Sequence, residues 1–254
     1  MRLERDNILG VKVCAIDLDL ALRAIKHWID AAEPTYVCVT PAHSIMDAYH
    51  NPQLRSILNS SGLTTPDGMS LVWILKLLGH KDVDRVYGPD LVLALCQFGV
   101  EKKYRHYFFG GEPGVAKALA SRLTKRLDGL QIVGTHSPPF HKLSDAEDRA
   151  EIDMINSTNP DIVWVGISSP KQERWMAEHL GKINAPVMIG VGAAFDFLSG
   201  RKPQAPRWIQ RSGLEWLFRL ATEPKRLWPR YRQYPLFMWL VLLQLLGLKK
   251  YPSE

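Results

Sequence analysis

"DIVWVGISSPKQERWM", Asp161 to Met176, changes rhythm halfway through. Ile162 to Val165 is an unbroken apolar run, the pattern of a strand covered on both faces. After Gly166 come small residues, then Pro170 and a polar stretch that reads as a helix to Leu180. Proline suits a helix start, because its φ is fixed and its missing N–H would have no intrahelical partner there. A buried strand that turns through glycine into a helix is the unit of an α/β protein.

The same rhythm recurs along the chain. "TYVCVT" (35–40), "YRHYFFG" (104–110), "LQIVGT" (130–135) and "PVMIGVG" (186–192) read as further buried parallel strands. Helices are expected over Leu20–Ala32, Pro52–Asn59 behind an Asn51 cap, Ser70–Leu78, Asp90–Phe98, Gly114–Arg126, Asp145–Asn156 and Pro170–Leu180. Pro52 and Pro113 also stand at expected helix starts. The fold class is therefore α/β, a Rossmann-like, largely parallel sheet with helices on both faces.

The chain has 254 residues, 46% of them hydrophobic, enough to bury a sizeable core. Its first residues, "MRLERDNILGVKVC", hold no apolar run of the secretory kind. Cys14, Cys38 and Cys96 are odd in number and far apart, matching neither a disulfide framework nor a metal-ligand spacing; buried thiols in a reducing cytosol explain them better.

Charge divides the chain at residue 200. Residues 1–200 hold 21 Lys+Arg against 23 Asp+Glu, while residues 201–254 hold 11 against 3. A basic tail of this kind seeks a polyanion. Within it, "PLFMWLVLLQLLGL" (Pro235–Leu248) is apolar between "KRLWPRYR" and Lys249–Lys250. It falls short of the roughly 20 residues that span a bilayer. A helix lying in the membrane interface, with its basic flanks on lipid headgroups, is expected; a buried terminal helix is the alternative. Nucleic acid is disfavoured, for no binding motif accompanies the basic residues. Two regions follow: 1–200, an α/β domain, and 201–254, a basic helical membrane-binding appendage.

In open α/β sheets, ligands bind beyond the carboxyl ends of the strands. Those ends read Thr40-Pro41-Ala42-His43, Gly110-Gly111-Glu112-Pro113-Gly114, Gly166 through Gln172, and Gly190 through Asp196. Glycine there lets backbone N–H groups approach a phosphate, although each glycine taken singly is also an ordinary turn residue. No G-x-G-x-x-G or Walker A pattern occurs, which disfavours dinucleotide and P-loop chemistry. A further opening is "TTPDGMSLVWILKLLG", where a tight turn runs straight into an apolar stretch ending in Gly79. That stretch suits a buried helix with a glycine stop, and places Asp67 at a helix N-terminus on the sheet edge, as a cap or as a chemical group. Arg85 and a second helix start follow in "RVYGPD"; a surface ion pair with Asp82, Asp84 or Asp90 is Arg85's bland alternative. His27, His80 and His179 read as surface or packed residues, whereas His43 falls in the first strand-end loop, as a site residue or as a helix-start residue.

"TTPDGMSLVW", "RVYGPDLV", "FFGGEPGV", "NPDIVWVGISSPKQERWM", "GVGAAFDFLSG" and "RWIQRSGLEWLFRLATEPKRLW" together resemble the bacterial WecG/TagA/CpsF family, glycosyltransferase family 26. The likeness runs in order from about Asn7 to Tyr231. It implies inverting transfer of a hexose, with an N-acetylmannosamine type leading and glucose or another hexose next, from a UDP-sugar to a polyprenyl-diphosphate-linked saccharide. Such steps build wall teichoic acid, exopolysaccharide and related surface polymers. The resemblance carries the general base onto Asp67, further active-site roles onto Thr40, Arg85 and Gln172, and nucleotide contacts onto Asp196 and Gly110-Gly111; Gly166 joins these as a strand-end glycine. Arg219 and Arg226, with Arg230 beside them, match residues that meet the acceptor's diphosphate. It implies no cofactor and no catalytic metal. The expected partners are the UDP-sugar, the lipid-linked saccharide, the inner face of the plasma membrane as a peripheral protein, and, left open, a second copy of the chain. A non-catalytic membrane adaptor is the alternative. Three departures stand out: Ala42 where Asn is common, Pro138-Pro139-Phe140 where Gly-Tyr-Phe is common, and Pro229 in place of an arginine.

Overall fold

In the computed structural model, which describes residues 3–139, 141 and 143–253, the opening stretch forms a strand over Ile162–Gly166 and a helix over Lys171–His179. In chain order the elements begin with β1 (Arg5–Ile8), β2 (Val11–Cys14), α1 (Leu18–Ala31), β3 (Thr35–Thr40), α2 (Ala42–His50), α3 (Pro52–Ser60) and β4 (Leu63–Pro66). Next come α4 (Met69–Leu77), α5 (Gly88–Lys102), β5 (Arg105–Gly110), α6 (Val115–Arg126), β6 (Gln131–His136), α7 (Asp145–Ser157), β7 (Ile162–Gly166) and α8 (Lys171–His179). The chain closes with β8 (Val187–Gly190), α9 (Ala194–Leu198), α10 (Arg207–Arg211), α11 (Glu215–Thr222), α12 (Pro224–Tyr231) and α13 (Tyr234–Leu245).

A six-stranded parallel sheet has the order β4-β3-β8-β7-β5-β6 and is flanked by helices, as the alternation of apolar runs requires. β3, β8, β7, β5 and β6 run parallel in their pairings, which align the ends of β5 and β7 at Gly110 and Gly166. All five expected strands are present within a residue or two at each end. Three strands were not expected. β1 and β2 form a separate antiparallel pair, and β4 is only four residues long, too short to show a period. Helices α2 and α9 were not among the expected helices, although the reading of His43 as a helix-start residue holds: it lies in the first turn of α2, behind Pro41 at the cap position.

Local chemistry explains most boundaries. Asn51 caps α3 by accepting from the Leu54 N–H at 3.0 Å, with Pro52 at the first helical position. Ser144 and Glu147 form a capping box on α7. Gly79, at φ +107, follows Leu78, the C-cap of α4, as the expected stop. Pro113 stands slightly ahead of its helix, whose cap is Gly114. All three cysteines are buried, and none of them forms a disulfide among the described residues.

Two compact units emerge from packing: residues 1–21, 39–87 and 204–254, and residues 22–38 and 88–203. In the second, Trp164, Phe108, Phe109 and Tyr107 are almost wholly buried, and Trp164 stacks on Phe108. Burying one such side chain stabilises the fold by about 1.5–3 kcal/mol. In the first, the tail forms α10 to α13. Phe237, Leu240 and Val241 bury one face of α13, while Leu236, Met238, Trp239, Leu242 and Leu246 are exposed. No helix among the described residues is long and apolar enough to cross a membrane. Phe140, the last residue of the Pro138-Pro139-Phe140 departure, lies outside the described residues.

Candidate active site

β4 ends at Pro66 and the chain turns at once into α4. Three backbone hydrogen bonds hold the turn: Asp67 N–H to Thr40 O at 3.1 Å, Val86 N–H to Pro66 O at 3.1 Å, and Leu71 N–H to Gly68 O at 3.1 Å. Gly68 adopts φ +147, a conformation that a side chain would strain. Asp67 therefore leaves the strand end, but the helix has no side-chain cap. Its carboxylate accepts from Arg85 Nη2 at 3.1 Å instead. The capping alternative is thereby set aside.

Arg85 does not pair outward. Its other terminal nitrogen, Nη1, lies 2.6 Å from Glu215 Oε2, and its guanidinium carbon sits 4.0 Å from the centre of the Tyr87 ring. Asp84 accepts from the Arg85 backbone N–H, so it anchors the loop and leaves the guanidinium to the site. Burial raises the Asp67 carboxyl above the usual range; Arg85 pulls it down, Glu215 pushes it up, and the net direction is up. Burial opposes the charge of Arg85 too, but the two carboxylates hold its proton affinity above the ordinary value. Tyr87 is raised by burial and by the same carboxylates. Thr40 is fully buried at the end of β3.

Glu215 escaped the sequence reading although it stands in "GLEWLFRL". The available signal was an acidic residue one helical turn before Arg219, on the same helical face. Only 8% of Glu215 is exposed, and it opens α11. Burial works against the charge of Arg219, yet Tyr231, Glu215, Tyr87 and Asp67 keep its proton affinity raised. α12 carries Arg226, paired with Glu223 at 2.5 and 2.6 Å, and Arg230, whose proton affinity is lowered by burial and then by Arg226. Pro229 lies inside that helix without ending it.

The other unit holds the glycine-bearing strand ends. Gly110 has φ +133, and a Cβ built on it would lie 2.6 Å from the Gly166 carbonyl carbon. Gly111 N–H donates to Gly166 O at 3.0 Å. Gly166 in turn lies against Phe195, whose ring a Cβ would meet at 2.8 Å. Gly110, Gly111 and Gly166 are thus one close-packed junction. Gln172, in the first turn of α8 and 2% exposed, donates from Nε2 to Glu173 Oε1 at 3.2 Å; its Oε1 is buried without a hydrogen-bond partner among the described residues. That amide sits beside Gly190 and Gly192. Asp196, on α9, lies 2.8 Å from Lys202 Nζ.

A half-buried carboxylate with a raised affinity for protons, a guanidinium shared between two acids, and three further arginines on neighbouring helices define an α/β protein whose acid–base groups keep company with a cationic cluster. The chain belongs to the glycosyl transferase WecG/TagA/CpsF family, whose model matches residues 6–251. Two similar proteins are both N-acetylglucosaminyldiphosphoundecaprenol N-acetyl-beta-D-mannosaminyltransferases. That of Bacillus spizizenii strain W23 is 29% identical over 215 residues, 85% of this chain and 81% of the relative. That of Bacillus subtilis strain 168 is 28% identical over 218 residues, 85% and 82% of the two chains.

Proposed function

We propose that the protein transfers a hexose of the N-acetylmannosamine type from a UDP-sugar to a polyprenyl-diphosphate-linked saccharide, with inversion and without a catalytic metal. It works at the inner face of the cytoplasmic membrane, in the assembly of a cell-surface polymer. Family membership supports the reaction class, and the names of the two relatives support the sugar and the lipid-linked acceptor. The observation that carries the mechanism is the Asp67 carboxylate, raised by burial and held by Arg85 at 3.1 Å.

Inversion needs one displacement. Asp67 takes the proton of an acceptor hydroxyl while that oxygen bonds to the anomeric carbon, and the bond from that carbon to the UDP oxygen breaks with its electron pair on UDP. A well-placed base of this kind contributes roughly 10²–10⁴-fold. Raising its pKa keeps it a better proton acceptor, provided the pH lies above that value. Arg85 fixes one carboxylate oxygen, so the other faces the hydroxyl. Cationic side chains and backbone N–H groups offset the charge that develops on the leaving diphosphate. In this reading Gly110, Gly111, Gly166, Gln172 and Asp196 serve the nucleotide, and Thr40 supports the Asp67 turn. Residues 1–200 carry the transfer chemistry. Arg219, Arg226 and Arg230, within 201–254, meet the acceptor's diphosphate. The exposed Trp208, Trp228, Met238 and Trp239, beside the basic residues of that tail, serve as the membrane contact.

The decisive assay offers UDP-N-acetylmannosamine, UDP-N-acetylglucosamine and UDP-glucose in turn to the full chain with a short-chain polyprenyl-diphosphate N-acetylglucosamine, in EDTA. Product mass and anomeric coupling in NMR are the readouts. An inverted disaccharide from the first donor is expected. A retained linkage, or turnover only with added divalent metal, overturns the mechanism. Flotation with anionic liposomes that is unchanged by removing residues 235–254 overturns the membrane reading.

A further inference from the structure

His43 is the buried titratable group for which the transfer step has no use. It lies in the first turn of α2, and only 7% of it is exposed. Its ring meets Tyr231 edge-on, with 6.2 Å between centroids. Its Nδ1 has no hydrogen-bond partner among the described residues. A buried ring nitrogen left unsatisfied costs stability, because the water that would have served it is gone.

A second buried histidine shows what distinguishes this one. His106 is fully buried in the other unit, and its Nδ1 accepts from Trp164 Nε1 at 3.1 Å. Its Nε2 also lacks a partner among the described residues, but it lies against Gly99, and the charge that acts on it is that of Asp161. Nothing there calls for an anion.

Around His43 the charges point the other way. Arg230, Arg219 and Arg226 all act on it from α12 and α11. The N-terminus of α2, which has no side-chain cap, adds the positive end of a helix dipole. Asp47 on the same helix acts on Arg230, Glu223 pairs with Arg226, and Tyr231 closes one side. Guanidiniums gathered in this way repel one another: burial first, then Arg226 and Arg219, lower the proton affinity of Arg230, and an anion relieves that repulsion. Burial first, then the three arginines, lowers His43 to about 3, so the ring is neutral at physiological pH. A neutral imidazole can present one N–H to an anion without adding a fourth charge to the cluster.

We propose that His43 is a ligand-contacting residue whose Nδ1–H donates a hydrogen bond to an anionic oxygen of a diphosphate held by Arg219, Arg226 and Arg230. It rests on the reading above that this cluster receives the acceptor's diphosphate, and it deepens that reading by adding an uncharged donor to the site.

Two variants of the full chain test it. His43→Phe keeps a ring against Tyr231 but has no N–H, and His43→Asn returns an amide N–H near the position of Nδ1. Calorimetric titration with inorganic diphosphate is expected to show binding by the unaltered chain, about tenfold weaker binding by His43→Phe, and recovery of most of that loss in His43→Asn. The KM for the lipid-diphosphate saccharide follows the same order, while the KM for the UDP-sugar stays constant. Nitrogen NMR of the unaltered chain, labelled at histidine, is expected to show the His43 Nδ1 signal move when diphosphate is added. Equal affinity in His43→Phe, no advantage of Asn over Phe, or an unmoved Nδ1 signal overturns the assignment while leaving the cluster's role intact. Failure of the unaltered chain to bind diphosphate overturns the cluster reading itself. Phosphatidylglycerol vesicles form the second arm: if His43→Phe loses vesicle binding but keeps diphosphate binding, the nitrogen serves a lipid headgroup and the proposal falls.

Discussion

Residues 88–203 and the unit that joins residues 39–87 to the tail place polar chemistry at strand ends by opposite means. The first relies on missing side chains: Gly110 and Gly166 meet backbone to backbone, and Gly166 meets the Phe195 ring. The second relies on present ones: Asp67, Arg85 and Glu215 form a chain of ion pairs across three segments distant in sequence. The first device is sensitive to volume and the second to charge, so each unit should fail in its own way.

The largest effect is expected at the base. Asp67→Asn should lower kcat by roughly 10²–10⁴-fold without lowering the melting temperature, since an amide fills the same space. Loss of stability instead of turnover would make Asp67 a structural residue and erase the contrast. In the glycine junction the outcome reverses. Gly166→Ala should cost roughly 1–3 kcal/mol by urea unfolding, because its new Cβ meets the Phe195 ring at 2.8 Å, and UDP affinity should fall with it.

A smaller and more diagnostic change is Glu215→Gln. Glu215 pushes the Asp67 carboxyl upward, so removing its charge should move the acid limb of the pH–rate profile to lower pH. An unmoved limb would mean that burial and Arg85 set the base without Glu215. Acid stability involves both units at once. His43 and His106 are lowered to about 3 and about 4, whereas an unfolded histidine takes its proton near 6.5. The unfolded chain therefore binds more protons in between; the stabilisation is complete above about pH 6.5 and is lost as pH falls toward 4. Urea midpoints measured from pH 7 to 4 should fall through this window, less steeply in His106→Gln. The smallest effect is the calibration: Asn51→Ala, which removes a cap outside both sites, should cost about 1 kcal/mol and leave kcat unchanged.

How much could be read in advance follows the same division. "DIVWVG" and "TYVCVT" announce buried strands because a strand covered on both faces must be apolar throughout, and that requirement is local. The stop at Gly79 and the cap at Asn51 are local as well. β4 and α2 were missed because four residues carry no period and the nine residues of α2 make too few turns to show one clearly. The resemblance pointed to Asp67 and Arg85, but their hydrogen bond became visible only when the turn after β4 brought them together. Glu215 was overlooked because an acidic residue in a basic, amphipathic tail looks like solvated surface until its partner is known.

The sequence by itself determined the alternation of strands and helices, the glycines at strand ends, the basic tail and the family to which the chain belongs. Only the tertiary structure decided that Arg85 divides itself between Asp67 and Glu215, and that His43 lies buried among arginines with a bare nitrogen. The physical reason is range. Backbone propensity and burial pattern act within a few residues, whereas a proton's affinity for a carboxylate or an imidazole depends on every charge within several ångströms, from whatever part of the chain the fold delivers it.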